Sequence, residues 1–134
     1  MTERHFTAEE VDELIPRLAP IVERAMEHHR QATRLQRLLH EEQERIRAAG
    51  GSSINQRDWK ARAERLDGLT IEVREALQQI HALGGVTKDL DMGLVDFPGL
   101  VGGETVNLCW KHGETAVRFW HGLREGYAHR KPLP

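Results

Sequence analysis

The sequence is poor in the features that mark several large protein classes. It has one cysteine, Cys109, in 134 residues, so no internal disulfide can form and no oxidising compartment is required. No apolar run approaches the length of a membrane-spanning helix, and the first residues contain no apolar signal segment. These absences predict a cytoplasmic protein that does not enter a membrane.

Neither sign of charge dominates the chain. Nineteen lysines and arginines stand against 21 aspartates and glutamates, which gives a formal net charge of −2. A charge this small provides no general attraction to nucleic acid or to an anionic membrane surface, so a nucleic acid partner is not expected. Charged residues make up 30% and hydrophobic residues 39%, against typical values of about 25% and about 45–50%. This composition favours long, solvent-exposed helices.

Several familiar catalytic patterns are missing. The serines, Ser52 and Ser53, belong to an interhelical turn and not to a nucleophile elbow. The glycine-rich loop that begins at Gly99 has no following Lys-Ser or Lys-Thr, which a phosphate-binding loop needs. His40-Glu41 is followed by Glu44 instead of a second histidine, and no Glu-x-x-His occurs. Serine hydrolases, P-loop enzymes, HExxH zinc proteases and ferritin-like di-iron proteins are therefore excluded.

A strong helix-start signal opens the chain. Thr7 and Glu10 match a capping box, and Phe6 with Val11 matches the hydrophobic staple around it. Pro16 lacks an N–H group and clashes with the preceding turn, so it predicts a break or kink near residues 14–16. Pro20 would then lie in the first turn of a second helix, which would run from about residue 17 to 48.

Two long apolar seams follow, and they predict an antiparallel helical hairpin over residues 8–84. A turn at Gly50 to Ser53 separates the helices, Ser53 or Asn55 would cap the second helix, and Gly84-Gly85 would end it. The seams have 4-3 spacing; they comprise Leu18, Val22, Ala25, His29, Ala32, Leu39 and Ile46, then Trp59, Ala63, Leu66, Thr70, Val73, Leu77 and Ile80. A second stripe predicts a homodimer: Leu35, Leu38, Leu69, Ile71 and Ala76.

The pattern changes after Gly85. Residues 94–97 and 105–110 are rich in β-branched and aromatic side chains, and Pro98-Gly99 and Gly102-Gly103 separate them. These runs predict a β-hairpin, and Gly113-Glu114 would open a short final helix from Ala116 to about Glu125. The predicted fold class is therefore α+β, mainly α. Residues 1–134 form a single domain, in which 8–84 is the helical hairpin and 85–134 is a module of β-hairpin and short helix.

The most distinctive motifs lie in this second module. They are the run from Lys88 to Pro98 (KDLDMGLVDFP), the run from Leu108 to Glu114 (LCWKHGE), and Trp120-His121. Together with the opening Phe6-Thr-x-Glu-Glu segment and the tail from Gly126 to Arg130, they resemble the bacterial domain-of-unknown-function family 2203. The resemblance covers nearly the whole chain. It implies a small cytoplasmic bacterial protein and brings no established activity or cofactor.

The same motifs concentrate ionisable side chains. Hard cations prefer several oxygen ligands and a histidine suits a transition metal, so the cluster offers ligands for a divalent-metal cofactor if its side chains converge. The candidate ligands are Asp89, Asp91, Asp96, Glu114 and His121, and the catalytic candidates among them are Glu114 and His121. His112 is a further candidate. The alternative is that each carboxylate caps its own turn or helix start.

Other residues of this module have plainer interpretations. Cys109 lies between two apolar residues of a strand, which indicates a buried, inert thiol rather than a nucleophile. Trp110 and Trp120 belong to a group of aromatic residues that either fills the core or walls a pocket with Glu114 and His121 at its mouth.

Two functions remain open from the sequence. The first is a non-enzymatic oligomeric scaffold or interaction protein with a protein partner, supported by the long seams and by the missing catalytic patterns. The second is a divalent-metal-dependent enzyme, hydrolytic in type, that uses the acidic and histidine cluster between residues 89 and 121. Convergence of these side chains in space would favour the second function.

Overall fold

The computed structural model describes residues 4–50 and 56–134. The chain is α+β and mainly α: two long helices are followed by a five-stranded antiparallel sheet. Helix α1 spans Ala8–Ala48 and helix α2 spans Gln56–Ala82. The strands are β1 (Val86–Asp89), β2 (Leu94–Val101), β3 (Glu104–Lys111), β4 (Phe119–His121) and β5 (Lys131–Pro132). A single 3-10 turn, Tyr127–His129, lies between the last two strands.

The predicted capping box at the start of α1 is confirmed. The Thr7 side chain accepts a hydrogen bond from the Glu10 backbone N–H at 3.1 Å, and the Glu10 carboxylate accepts one from the Thr7 N–H at 3.0 Å. The other end of α1 is closed by Gly50, whose φ of 78° is a left-handed conformation that glycine adopts without strain. The predicted caps of α2, Ser53 and Asn55, lie outside the described residues.

The predicted break near residues 14–16 is wrong, because α1 continues through both Pro16 and Pro20. These prolines are one helical turn apart and both are exposed, so they lie on the same solvent-facing side. The carbonyl groups that lose their helical partner can therefore bond water instead. The opposite face of this stretch is apolar and buried, and its packing holds the helix together across the prolines.

The two helices lie antiparallel. Three contacts show this: Arg24 with Gln79, His28 with Glu72, and Gln31 with Arg65. Residue numbers rise along α1 while those of the contacting residues on α2 fall. The buried face of the hairpin includes residues outside the predicted seams. Leu69 and Ala76, which were predicted for the dimerisation stripe, are buried within the single chain. Leu38 and Ile71 of the same stripe are half-exposed.

The sheet is a meander in which each strand pairs with its neighbour in sequence. The predicted hairpin is its central part, β2 and β3, which join through Gly102 and Gly103, both with positive φ. The predicted final helix is wrong: residues 119–121 form β4 instead. Val117 at its entry donates its N–H to the Asp12 carboxylate at 2.7 Å, and extended pairing with β3 then satisfies the backbone.

One face of the sheet packs on the helices and holds the core. Val95, Phe97, Leu108 and Trp110 contribute from β2 and β3, and a stripe of α1 meets them. That stripe and its partner on α2 comprise Val11, Ile15, Leu18, Val22 and Ile80. We call the opposite face of the sheet the outer face. Because side chains alternate along a strand, Asp96, Cys109 and Phe119 lie on the outer face.

The N-terminal segment lies beside β2, at residues of β2 that do not pair with β1. Phe6 donates its N–H to the Pro98 carbonyl at 2.7 Å and forms a parallel bridge with Gly99. Within residues 4–50 and 56–134, no helix combines the length and the apolar character that a membrane span requires.

Candidate metal centre on the outer face

Three metal-ligating side chains converge on the outer face: Asp96 from β2, Cys109 from β3 and His121 from β4. One donor atom from each lies within 4.8 Å of the other two. The side chains are between 1% and 3% exposed, so the cluster is inside the protein. Asp96 and His121 are the only buried polar or charged residues in the described part of the chain.

The backbone register brings these side chains together. Asp96 is directly opposite Cys109 in the β2–β3 ladder. His121 is opposite Asn107 in the β3–β4 ladder, which places it one position diagonally from Cys109 on the same face. Directly opposed Cβ atoms are about 4.5–5.5 Å apart in antiparallel sheets, close enough for short side chains to share a ligand.

The orientation of His121 leaves one ring nitrogen for a cation. Its Nδ1 lies 2.9 Å from the Gly122 carbonyl oxygen, which can only accept a hydrogen bond, so Nδ1 carries a proton. In the neutral imidazole, Nε2 then has a free lone pair directed into the cluster. A backbone carbonyl on the far nitrogen is the usual second-shell arrangement of a metal-binding histidine.

Asp96 is the unusual member of the cluster. His121 Nε2 is 3.0 Å from Asp96 Oδ2, and neither carboxylate oxygen accepts a hydrogen bond from the described residues. A carboxylate without donors in the protein interior is strongly disfavoured. Two acceptor atoms at 3.0 Å require a cation between or beside them, either a proton or a metal ion.

Cys109 completes the donor set. Burial, and next the negative charge of Asp96, raise the pKa of this thiol to about 12. The free thiol is therefore protonated and inert, as the sequence predicted, and only a bound cation would make it an effective thiolate donor. Carboxylate, thiolate and neutral imidazole together carry a charge of −2, which a divalent ion neutralises in the buried site.

The other carboxylate candidates do not reach the cluster. Asp89 accepts hydrogen bonds from the N–H groups of Asp91 and Met92 at 2.8 and 2.9 Å, and so caps the β1–β2 turn. Asp91 has an 82% exposed side chain that lies 3.4 Å from His29 on α1. These two aspartates lie close to Asp96 in sequence but at the end of the hairpin in space.

Glu114 forms an ion pair with Arg130. The Arg130 Nη2 lies 2.7 and 2.8 Å from the two carboxylate oxygens of Glu114, and the same oxygen Oε1 accepts the Lys111 N–H at 2.6 Å. Arg130 also donates to the Cys109 carbonyl at 3.2 Å and stacks over the Phe119 ring at 4.1 Å. The segment after β4 therefore folds back over the outer face, and this contact network holds it beside the cluster.

The remaining candidates belong to the packing of the sheet. Trp110 is fully buried in the core and donates from Nε1 to the Glu114 carbonyl at 2.9 Å. Trp120 packs against the same core on the helix-facing side, so both tryptophans lie on the face of the sheet opposite to His121. His112 makes an edge contact with Trp110, with ring centroids 6.3 Å apart, and is not part of the cluster.

Comparison with known proteins bears on the family and not on the site. No curated protein and no solved structure matches the chain. The family model described as "Uncharacterized conserved protein (DUF2203)" matches residues 4–133. The match spans the helical hairpin, the sheet and all three side chains of the cluster. The chain therefore belongs to the DUF2203 family of conserved proteins.

Proposed function

We propose that this protein is a metalloprotein that binds one divalent transition-metal ion through Asp96, Cys109 and His121. The observation that carries the proposal is the buried Asp96 carboxylate, which has no hydrogen-bond partner among the described residues and faces a histidine nitrogen and a cysteine sulfur. A mixed set of one oxygen, one nitrogen and one sulfur donor suits zinc or a neighbouring transition metal, not magnesium or calcium.

Three protein ligands on a tetrahedral ion leave a fourth position. In zinc enzymes that position holds water or substrate, and the ion lowers the pKa of the bound water and polarises carbonyl groups. The reaction class that this donor set supports best is therefore metal-assisted hydrolysis. Glu114, a catalytic candidate from the sequence, is tied to Arg130 and serves in this proposal as a support for the strand that carries Cys109.

Metal analysis of the purified protein is the first test. We expect about one zinc per chain, and we expect cobalt substitution to give the charge-transfer absorption of a cobalt–thiolate bond. Asp96→Asn and His121→Gln should weaken binding by more than the roughly 10–100-fold that changes to outer-shell partners cause. Cys109→Ser should abolish the thiolate absorption. Asp91→Asn and His112→Gln alter the same residue types outside the cluster and should leave binding unchanged.

A buried ion pair between Asp96 and an imidazolium form of His121 is the competing arrangement. It predicts no stoichiometric metal and an unchanged melting temperature when zinc is added. Equal metal binding by wild type and Asp96→Asn would also overturn the proposal. Circular dichroism of each metal-free variant shows whether the helices are intact, so that loss of the site can be separated from loss of the fold.

Catalysis has its own test. Zinc-loaded and metal-free protein are compared in the hydrolysis of 4-nitrophenyl esters and phosphates. Activity that requires zinc and disappears in Asp96→Asn would support the hydrolytic assignment. Stoichiometric zinc without activity on either substrate class would leave the metal in a structural position.

Self-association through the helical hairpin is the second candidate function, that of an oligomeric scaffold with a protein partner. The observation that favours it is the half-exposed state of Leu38 and Ile71, which are 49% and 50% exposed on the two helices. Light scattering after size exclusion measures the mass in solution. A homodimer that becomes a monomer in Leu38→Glu and Ile71→Glu would support it, and a wild-type monomer at high concentration would contradict it.

A further inference from the structure

The outer face carries a groove beside the proposed metal centre, which we call the outer groove. It has a volume of about 550 Å3 and lies where the start of β1, the middle of the β2–β3 hairpin and the end of α2 meet. Val86, Pro98 and Asn107 form part of its floor, and Leu123, from the segment after β4, forms a wall. A volume of this size is typical of small-molecule sites, which are about 300–1,000 Å3.

The strand register places this floor next to the metal ligands. Val86 is directly opposite Asp96 in the β1–β2 ladder, and Asn107 is directly opposite His121 in the β3–β4 ladder. Directly opposed residues share one face of a sheet, so each of these floor residues is the immediate neighbour of a ligand. The outer groove therefore lies beside the buried metal centre, on the same face of the sheet.

The apolar side chains of the outer groove are unusually exposed. Val86 is 45% and Leu123 is 61% exposed, and they are two of the six large hydrophobic residues with high exposure in the described chain. Both line one concave surface, which distinguishes them from isolated surface residues. An apolar group of a ligand would remove both from water.

Among the described residues, the lining of the outer groove includes a permanently charged arginine and no acidic side chain. Arg4 and His81 line the groove. Arg4 is paired with Glu10 at 3.1 Å, but both side chains are exposed, at 67% and 42%. Exposed pairs of this kind contribute little to stability, so an incoming anion can compete for the guanidinium.

From this combination we infer that the outer groove binds a small organic anion with an apolar body, such as an aryl- or alkyl-carboxylate. The apolar part contacts Val86 and Leu123, and the carboxylate lies toward Arg4 and His81. The inference deepens the proposed function, because it supplies the substrate class of the adjoining metal centre and rests on that proposal for this link alone. Binding to the metal-free protein depends only on the groove.

The probe for the test is 4-phenylbutanoate, with its neutral amide as the matched ligand. Both are titrated into metal-free protein while backbone amide resonances are followed by NMR. We expect saturable shifts that centre on residues of the outer groove, and an affinity about fivefold higher for the carboxylate, which corresponds to a charge contribution of about 1 kcal/mol. Equal affinity for the two ligands, or no binding of the carboxylate at millimolar concentration, would overturn the inference.

Matched variants locate the site. Leu123→Asp introduces a negative charge and removes an apolar wall, and we expect it to weaken 4-phenylbutanoate binding at least tenfold. Leu100→Asp makes the same change at a residue that is 54% exposed but does not line this groove, and binding should persist. An equal loss in both variants would contradict the location.

The titration is then repeated with zinc-loaded protein. We expect tighter carboxylate binding in the loaded state, because the bound ion offsets the negative charge of Asp96 beside the groove. The same affinity with and without zinc would refute the link to the metal centre. If the protein takes up no zinc, the metal proposal fails while the metal-free titration still decides the outer groove, so the two failures are distinguishable.

Discussion

Asp96 and Cys109 face each other directly across the β2–β3 ladder, and both side chains are buried on the sheet face that is turned away from the helices. Buried faces of sheets are ordinarily filled by apolar side chains. Here a carboxylate, a thiol and the imidazole of His121 occupy the protected part of the outer face. This departure from apolar packing is the reason to assign a ligand to the cluster.

Metal binding should stabilise the folded protein. A ligand that binds only the native state at a free concentration 100 times its Kd adds about 2.7 kcal/mol to the free energy of unfolding. We expect this increase for wild type in zinc buffered at that concentration, measured by urea denaturation. Asp96→Asn should show almost none of it, whereas Asp91→Asn should respond as wild type does.

The Arg130–Glu114 pair should contribute more to stability than surface pairs do. The side chains are only 11% and 23% exposed, and Glu114 Oε1 also accepts a backbone hydrogen bond. Arg130→Lys removes the planar guanidinium, and we expect a loss of about 2 kcal/mol in the free energy of unfolding. Arg30→Lys, in an exposed pair with Glu27, should leave the free energy of unfolding nearly unchanged. Similar losses in the two variants would contradict the role of the buried pair.

Gly85 should tolerate no side chain. A Cβ there would lie 2.6 Å from Val95 Cγ1 and 3.1 Å from Phe97 Cζ, at the junction of α2 with the core. We expect Gly85→Ala to destabilise the protein by about 1–3 kcal/mol, as overpacking does. Gly68→Ala is the matched change on an open face of α2, where nothing lies within 4 Å, and it should stabilise by up to about 1 kcal/mol. Thermal unfolding of the two variants in parallel tests the contrast.

The Cys109 thiol should make the metal-free protein sensitive to alkali. Its pKa is raised from 9.0 to about 12 in the folded state, so the folded protein holds this proton more tightly than the unfolded chain does. The stabilisation is complete below about pH 9 and is lost as the pH rises toward 12. We therefore expect the free energy of unfolding to fall over this range, and to fall less steeply in Cys109→Ala.

Reactivity provides an independent check on the same thiol. At pH 8 the native metal-free protein should react with iodoacetamide much more slowly than the urea-unfolded chain, because the thiolate is the reactive form and the sulfur is buried. Equal rates in the two states would contradict both the burial and the raised pKa.

The helical part of the fold follows well from the sequence because its signals are local. The capping box of Thr7 and Glu10 needs only neighbouring residues, and the apolar seams repeat over many turns. The break predicted at Pro16 does not form, because tertiary packing outweighs the local preference of proline. Its local cost is real, but the buried residues on the opposite side of α1, Ile15 and Leu18 among them, keep the helix continuous through it.

The sequence of the β2–β3 hairpin contains enough information to pair Asp96 with Cys109. Gly102 and Gly103 form a two-residue hairpin turn between Val101 and Glu104, and both have the positive φ that such turns require. Counting outward five positions along each strand from this turn places Asp96 opposite Cys109. The apolar neighbours of Cys109 in its own strand indicate only a buried thiol, because the residue opposite it becomes known only with the strand register.

Nearness in sequence was a poor guide to nearness in space at the acidic cluster. Asp89, Asp91 and Asp96 lie within eight residues, yet the β1–β2 turn separates the first two from the third. His121 reaches Asp96 only because residues 119–121 form a strand, and the sequence favoured a helix there. The choice of strand over helix at β4 depends on tertiary packing, such as the bond from Val117 to Asp12 on α1, which no local pattern encodes.

The meander also has a consequence for the order of folding. Asp96, Cys109 and His121 come from three strands that are consecutive along the chain, and the connections between them are short. Closing short loops costs little chain entropy, and contacts of small sequence separation form quickly. The three donors can thus assemble before Phe6 and α1 dock on the sheet. Metal present during refolding would then accelerate the folding reaction itself, in addition to slowing unfolding.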